Sequence, residues 1–409
     1  MLESDTCMGW IIWSVLLAGV ACIWASRHWE ISRARRQHRP LTSRSYNGPP
    51  SGQPLLSVLI AAKDEEANIR TAVESMLQQD YPNYELIVIN DRSQDRTPAI
   101  LEELEAADTT NRLRVLHIKQ LQDGWFGKNN AMREGVAQAR GDWLCFSDAD
   151  CRQTSPRTLS IALRHAIDWN IDFLSVLPRL ETQSFWERII QPVCGAVMVF
   201  WFHPKRVNDP KHSAAYANGA FMLMTRACYD TIGGHDAVKT EVNEDMHMAR
   251  LAKAHGRRLV VVQNKDLYTV RMYAGFREIW RGWSRIFYGC FGTFRRLRIT
   301  MLMLLTTNIF PYLSLLISLG VLAFRGWSGA GPGWHWVAGM SALAVILQQT
   351  VIARFYRLSH TSPALAPTFI VGAVICVGML INAMLKLNGR ASVTWRGTTY
   401  RGDGVVKAT

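Results

Sequence analysis

The chain has 409 residues, is 48% hydrophobic and 19% charged, and carries a formal net charge of +13 at pH 7. That length holds one large domain or two ordinary ones with additional segments, and a basic excess of this size would suit nucleic acid. The placement of the charge excludes that partner. Arg27, Arg33, Arg35, Arg36, Arg39 and Arg44 follow one apolar run, and Arg271, Arg277, Arg281, Arg285, Arg295, Arg296 and Arg298 precede another. Basic residues at such borders mark the cytoplasmic side of membrane spans and meet anionic headgroups.

Met8 to Ala25, "MGWIIWSVLLAGVACIWA", is uncharged, close to the roughly 20 apolar residues a span needs. A secretory signal would have a basic leader and small residues at a cleavage site. Here Glu3 and Asp5 lead and Arg follows, so residues 1–26 read as an uncleaved anchor. Residues 27–54 read as a basic linker that ends in Gly48, Pro49, Pro50, Gly52 and Pro54. "LLSVLIAA" (55–62) is a predicted buried strand, 65–80 a helix, "YELIVIND" (84–91) a second buried strand, 97–107 a helix and 113–118 a strand. Residues 127–139 then read as a helix and "WLCFSDAD" (143–150) as the fourth strand. Alternating buried strands and helices indicate an α/β domain with a mostly parallel, Rossmann-like sheet, spanning 55–273. Gly275 to Phe294 mixes Arg with Phe, Trp and Tyr, so 274–299 reads as an interfacial amphipathic helix. Thr300–Phe324, Gly333–Ala353 and Ala364–Leu385 are uncharged and give about three transmembrane helices within 300–386, followed by a basic tail, 387–409. The eight cysteines form no C-x-x-C pair; Cys145, Cys194 and Cys228 sit among apolar residues, as buried free thiols do.

In a sheet of this kind ligands bind beyond the carboxyl ends of the strands. Strand one ends in "AAKDEE", strand two in "NDRSQD" and strand four in "SDAD". Acids crowded in a cleft raise one another's energy unless a cation or hydrogen-bond donors compensate them. Asp148 and Asp150 alone would also suit a plain turn; beside two further acidic clusters they read as ligands of a divalent cation that leaves positions open for phosphate oxygens. Lys128, in "DGWFGKNNA", is either a surface lysine or a group reaching a diphosphate. Neither a G-x-x-x-x-G-K-[ST] loop nor a G-x-G-x-x-G follows the first strand, so P-loop and dinucleotide folds lose their main support.

The succession "SVLIAAKDEEANI", "ELIVINDRSQDRT", "GKNNAMREGVAQARGDWLCFSDAD" and "GAFMLMTRACYDTIGGHDAVKTEVNEDMHMARLAKAHGRRL" resembles family 2 glycosyltransferases with the GT-A nucleotide-sugar-binding fold, over about Leu55 to Tyr288. "DGWFGKNNA", "HPKRVNDP" and "VRMYAGFREIWRGWSR" resemble the membrane-anchored, lipid-modifying branch with ceramide glucosyltransferase-like, hopanoid-associated and carotenoid-associated enzymes. The resemblance implies a nucleotide-sugar donor, a UDP-sugar, bound by Ala61, Lys63, Glu65, Asp91, Lys128 and Asp148. It implies Mn²⁺ or Mg²⁺ on Asp148 and Asp150, with Asp245 of "NEDM" as catalytic base. Gly219, Glu244, Arg281 and Trp283 would line donor or acceptor. The residue types suit the chemistry: an acceptor hydroxyl needs a base in reach, and a departing nucleoside diphosphate needs its charge neutralised. Glu244 and Asp245 would otherwise be acids that complement a helix N-terminus. His235 and His247 read as structural or substrate-lining.

Many relatives carry Q-x-x-R-W before the next membrane helix; "REIWRGWSR" has Arg281 near that place but Trp280 and Trp283 around it. This weakens a processive polymerase reading. The expected enzyme is an inverting transferase that moves sugar to a lipid at the cytoplasmic face of a bacterial inner membrane. A polyprenyl-phosphate sugar synthase or polysaccharide-chain synthase is the enzymatic alternative, and a catalytically inert membrane scaffold the non-enzymatic one. The tail carries Lys386, Arg390, Arg396, Arg401 and Lys407 against Asp403, and "VTWRGTTY" resembles a tail segment of related enzymes. Both favour a cytoplasmic tail, which three full crossings would not give, so Ala364–Leu385 is expected to be re-entrant or paired differently.

Overall fold

A computed structural model describes residues 2–37, 40–359 and 361–389 and the tail segments 393–395, 398–400 and 406–408. Arg39, Arg390, Arg396, Arg401 and Asp403 lie outside the described residues. In chain order the elements are α1 (Leu2–Gln37), β1 (Leu56–Ala62), α2 (Ile69–Leu77), β2 (Tyr84–Asp91), α3 (Thr97–Ala107), β3 (Leu113–Ile118), α4 (Gly127–Gln138), β4 (Trp143–Asp148) and β5 (Cys151–Gln153). There follow α5 (Thr158–Asp168), β6 (Phe173–Leu177), β7 (Arg179–Leu180), α6 (Phe185–Trp201), α7 (Pro204–Val207), β8 (Phe221–Thr225), α8 (Arg226–Thr231), α9 (Glu244–Ala254), β9 (Leu259–Gln263) and β10 (Tyr268–Val270). Helices α10 (Phe276–Phe291), α11 (Phe294–Met303), α12 (Phe310–Arg325), α13 (Pro332–Leu358) and α14 (Phe369–Leu387) complete the helical part, and β11 (Val393–Trp395), β12 (Thr398–Tyr400) and β13 (Val406–Ala408) form a small antiparallel sheet.

The chain divides into two compact units. One comprises Met1–His38, Thr182–Val197 and Tyr273–Leu387; the other comprises Arg39–Glu181, Met198–Met272 and Asn388–Thr409. The second unit holds a seven-stranded sheet in the order β3-β2-β1-β4-β8-β6-β9. β1 pairs in parallel with β2 and with β4, while β8 runs antiparallel to both β4 and β6. The unbroken apolar runs of β1 and β2 follow from this placement, because helices cover both faces of a central parallel strand. Val58, Leu59, Leu86, Ile87, Val88 and Ile89 are fully buried. Gly135 of α4 permits the close helix–sheet approach: a Cβ there would lie 2.7 Å from Ile89 Cδ1 and 2.9 Å from Leu59 Cδ2.

Among the described residues of the first unit, four helices are long and apolar enough to cross a membrane: Gly9–Arg33, Phe294–Arg325, Pro332–Leu358 and Pro363–Leu387. Trp10 packs on Trp334 with ring centroids 4.2 Å apart, and Arg354 Nη2 donates to Ser32 Oγ at 2.8 Å. Helices α1 and α13 therefore run in the same direction. Trp13 Nε1 reaches Ser314 Oγ and Trp24 Nε1 reaches the Thr307 carbonyl, both at 2.9 Å, so α12 runs against α1. Helix α14 packs along α10 and the first part of α6. Gly372 abuts the Ile189 carbonyl, Gly378 faces the Trp280 ring, and Asn382 Nδ2 donates to Ser284 Oγ at 3.4 Å. The segment Thr182–Val197 thus belongs with the helical unit, although the sequence reading kept it within the catalytic domain.

Candidate active site

The turns that follow β1 and β2 are built for close approach. Asp64 and Arg92 adopt positive φ, +52° and +56°. Asp64 N donates to Ser93 Oγ, Asp64 Oδ1 accepts from Gln94 N at 2.8 Å, and Glu65 N donates to Thr97 Oγ1 at 2.8 Å. Glu66 N donates to Asp95 Oδ2 and Arg96 N to Glu66 Oε2. Much of the acidity at these two strand ends is therefore compensated by loop N–H groups, the second of the two compensations open to crowded acids. Helix α2 begins only at Ile69 because residues 65–68 serve this interlocked turn. Glu65 is buried and its Oε2 accepts from Asn68 Nδ2. Lys63 stands half-buried at the end of β1, and Ala61 pairs with Ile89 on one side and Asp148 on the other.

Asp91 ends β2 and is buried. Arg92 grips it with Nε to Oδ1 at 2.7 Å and Nη2 to Oδ2 at 3.0 Å. It lies against the start of α4, where a carboxylate complements the helix dipole. A Cβ at Gly127 would come 2.6 Å from Asp91 Oδ2, so glycine is required there. The next residue, Lys128, sends its ammonium to Asp148 Oδ1 at 2.6 Å and to Glu244 Oε1 at 2.7 Å. Burial disfavours its charge, but Asp148 and Glu244 outweigh burial and hold Lys128 protonated well above the ordinary lysine range. Asn129, fully buried, donates from Nδ2 to the carbonyls of Val238 at 2.7 Å and Glu241 at 3.0 Å, and Phe126 N donates to Lys239 O at 2.7 Å. The start of α4 thereby fixes the loop that leads into α9.

Asp150 follows β4. Burial, the neighbouring Asp148 and Glu65 push its carboxyl up to about 7. Asp148 and Asp150 thus offer carboxylate oxygens side by side, with the Lys128 ammonium already standing on one of them. No group of three or more His, Cys, Asp or Glu side chains able to hold a metal occurs among the described residues. Two hard carboxylates with a cation beside them suit Mg²⁺ or Mn²⁺, provided a ligand such as a diphosphate adds the remaining oxygens.

Glu244 and Asp245 open α9. Asp245 Oδ2 accepts from Gly219 N at 2.9 Å and Oδ1 from Met246 N at 2.7 Å. Burial and the adjacent Glu244 push Asp245 up to about 7. Gly219 leaves the space above this pair open: a Cβ there would lie 3.1 Å from Lys128 Nζ and 3.6 Å from an oxygen of each acid. His235 is structural. Its ring nitrogen shares a proton with Tyr229 OH at 2.9 Å, Phe146 packs on it edge-on, and burial with Lys128 pushes it down to about 3. His247 pairs with Glu241 at 3.1 Å. Arg281 and Trp283 belong to α10 in the other unit, where Arg281 is exposed and Trp283 is buried against Phe287. The sequence reading did not single out Gly127, Arg92 or Asn129. "GKNN" was the visible signal for the first and last.

Two family profiles match the chain: Glycosyl transferase family 2 over residues 57–233 and Glycosyl transferase family group 2 over residues 171–356. The 4,4'-diaponeurosporenoate glycosyltransferase of Staphylococcus aureus strain USA300 is 26% identical over 270 residues, covering 64% of this chain and 69% of that one. The same enzyme from strain MRSA252 is 25% identical over 268 residues, with the same coverage. Among solved structures, the mannosyltransferase PcManGT from Pyrobaculum calidifontis, in complex with GDP-Man and Mn²⁺, superposes with a TM-score of 0.53 at 16% identity, covering 92% of this chain and 99% of that one. The sheet, its order and this likeness define a GT-A fold. The chain belongs to family 2 of the glycosyltransferases.

Proposed function

We propose that this enzyme transfers a sugar with inversion from a nucleotide-sugar to a lipid acceptor at the cytoplasmic face of a bacterial membrane. The observation that carries the reading is the convergence of Asp148 and Glu244, the neighbour of Asp245 and distant from Asp148 in sequence, on the single ammonium of Lys128. It joins a donor half, with Glu65, Asp91 and the D-x-D acids, to an acceptor half centred on Asp245. The archaeal neighbour was solved with GDP-Man and Mn²⁺, and the staphylococcal relatives are named for a 4,4'-diaponeurosporenoate acceptor. Both support a nucleotide-sugar donor and an apolar acceptor here.

Asp148 and Asp150 would hold Mn²⁺ or Mg²⁺, which when bound supplies Lewis-acid neutralisation of the departing diphosphate. Asp91 and Glu65 bind and orient the nucleoside. Asp245 takes the proton of the acceptor hydroxyl as that oxygen bonds to the anomeric carbon; the bond to the diphosphate breaks and its electron pair leaves with the nucleotide. A base matched to neutral pH suits this step, and burial beside Glu244 gives Asp245 that character. The Gly219 and Met246 N–H groups keep its carboxylate oriented.

Four apolar helices support integral membrane attachment. The exposed Arg277 and Arg281 and the buried Ile279, Trp283 and Phe287 on α10 suit a helix at the headgroup level. The packing of α14 along α10 and α6 supports the reading that α14 does not make a full crossing. Inclusion of β11–β13 in the catalytic unit supports a cytoplasmic tail. The test of the transfer reading is the purified full-length protein with Mn²⁺ and a panel of UDP- and GDP-sugars, with nucleotide release followed with and without bacterial lipid extract. Lipid-stimulated release that EDTA abolishes is the expected result. Release indifferent to every lipid extract and every donor would overturn it.

A further inference from the structure

Lys128 has a second role that binding a diphosphate does not exhaust. An ammonium has three protons to donate, and here two serve carboxylates on opposite halves of the site: Asp148 Oδ1 at 2.6 Å and Glu244 Oε1 at 2.7 Å. Its backbone cannot follow a ligand, because Phe126 and Asn129 on either side are bonded to the carbonyls of Val238, Lys239 and Glu241. Only the side chain is free to redistribute. Space for that exists, since Gly219 presents no Cβ where one would stand 3.1 Å from Nζ. Without donor, then, Lys128 offsets part of the charge of Glu244, the neighbour of Asp245.

We infer that Lys128 is a donor-sensing positioning residue: in the resting site it ties Asp148 to Glu244, and the diphosphate of an incoming donor draws the ammonium away from Glu244. This rests on the transfer reading above. Its consequence is an order of events. Glu244 acts on Asp245 with its full charge only once donor is bound, so the acceptor half becomes fully competent after the donor half is filled. Glu244 and the diphosphate compete for one cation. Removal of the charge of Glu244 should therefore help nucleotide binding while it harms transfer, a split that a merely structural glutamate would not produce.

The test is isothermal titration of full-length protein in detergent with UDP and with GDP, each with Mn²⁺, for wild type, Glu244→Gln, Lys128→Met and the double variant, together with kcat for wild type and Glu244→Gln. A charged hydrogen bond exceeds a neutral one by enough to change affinity about tenfold. Glu244→Gln should bind the preferred nucleotide about 5- to 10-fold more tightly and lower kcat at least about tenfold. Lys128→Met should weaken binding, and in its background Glu244→Gln should no longer tighten it. If Glu244→Gln does not fold, Glu244→Ala, which also removes the charge, should give the same sign. Weaker or unchanged nucleotide affinity in a folded Glu244 variant overturns the inference and leaves the transfer reading standing, as does tightening that persists without Lys128. Failure of wild type to bind either nucleotide overturns both.

Discussion

Asp150→Asn should abolish transfer and yet stabilise the metal-free fold at alkaline pH. Asp150 is pushed from its ordinary 3.8 to about 7 by burial, Asp148 and Glu65. Below pH 4 the carboxyl is protonated in folded and unfolded chains alike and contributes nothing. As pH rises from about 4 to about 7 the unfolded chain releases the proton while the folded one retains it, so stability falls, and above pH 7 the deficit is constant. The interval corresponds to about 4 kcal/mol at 1.36 kcal/mol per pKa unit. Asp150 keeps partial solvent exposure, and screening reduces this to about 1 kcal/mol. For a domain of this size that is about 2–4 °C in Tm. Thermal melts of wild type and Asp150→Asn in EDTA should coincide near pH 4 and diverge by pH 8, with the variant higher. Addition of Mn²⁺ with UDP should raise the wild type more than the variant. A variant Tm at or below that of wild type at pH 8 in EDTA would refute the charge-repulsion account, and full activity at ordinary Mn²⁺ would refute the metal assignment.

Asp245→Asn should leave nucleotide binding nearly intact and lower the transfer rate at least about 100-fold, the low end for a lost general base; equal losses in binding and rate would make Asp245 a donor ligand. In wild type, transfer should rise with pH through about 7, as a base with that pKa loses its proton, and a pH–rate profile falling over the same range would contradict the role. Gly141→Ala should destabilise the catalytic unit by about 3 kcal/mol, the upper range for overpacking, because its Cβ would lie 2.6 Å from Ser57 N and 2.7 Å from Leu55 O; an unchanged melting temperature would refute this. Deletion of residues 1–26 should leave the protein in the membrane fraction, since further apolar helices remain, and its recovery as soluble protein would refute the span count. A cysteine at Thr398 should resist an impermeant thiol reagent on intact cells, and labelling from outside would mean that α14 crosses fully.

Local chemistry made much of this legible in advance. "YELIVIND" coincides with β2 because a strand covered on both faces reads as a near-continuous apolar run, here Leu86 to Ile89. Thr97–Ala107 was readable from Pro98 at its start. The antiparallel β8 was not, since strand direction is set by partners far along the chain. Helix α6 is not legible because Glu187 and Arg188 break the apolar run of "FWERIIQPVCGAVMVF" near its start and Pro192 stands inside it. Among site residues, Asp148, Asp150 and Asp245 stood out by type and spacing. The link from Lys128 to Glu244 did not, since no periodicity relates residues so far apart in the chain. Asn129 reads as one more polar residue until the loop it holds is in view.

The measurement closest to the central claim is mass spectrometry of membrane lipids from a host that expresses the full-length protein, beside hosts expressing Asp245→Asn and an empty vector. The account predicts a glycosylated lipid present only with the wild type, while the variant is equally abundant in the membrane and still binds nucleotide. Identical lipid profiles from all three hosts, with folded wild-type protein in the membrane and candidate lipid classes supplied, would contradict it.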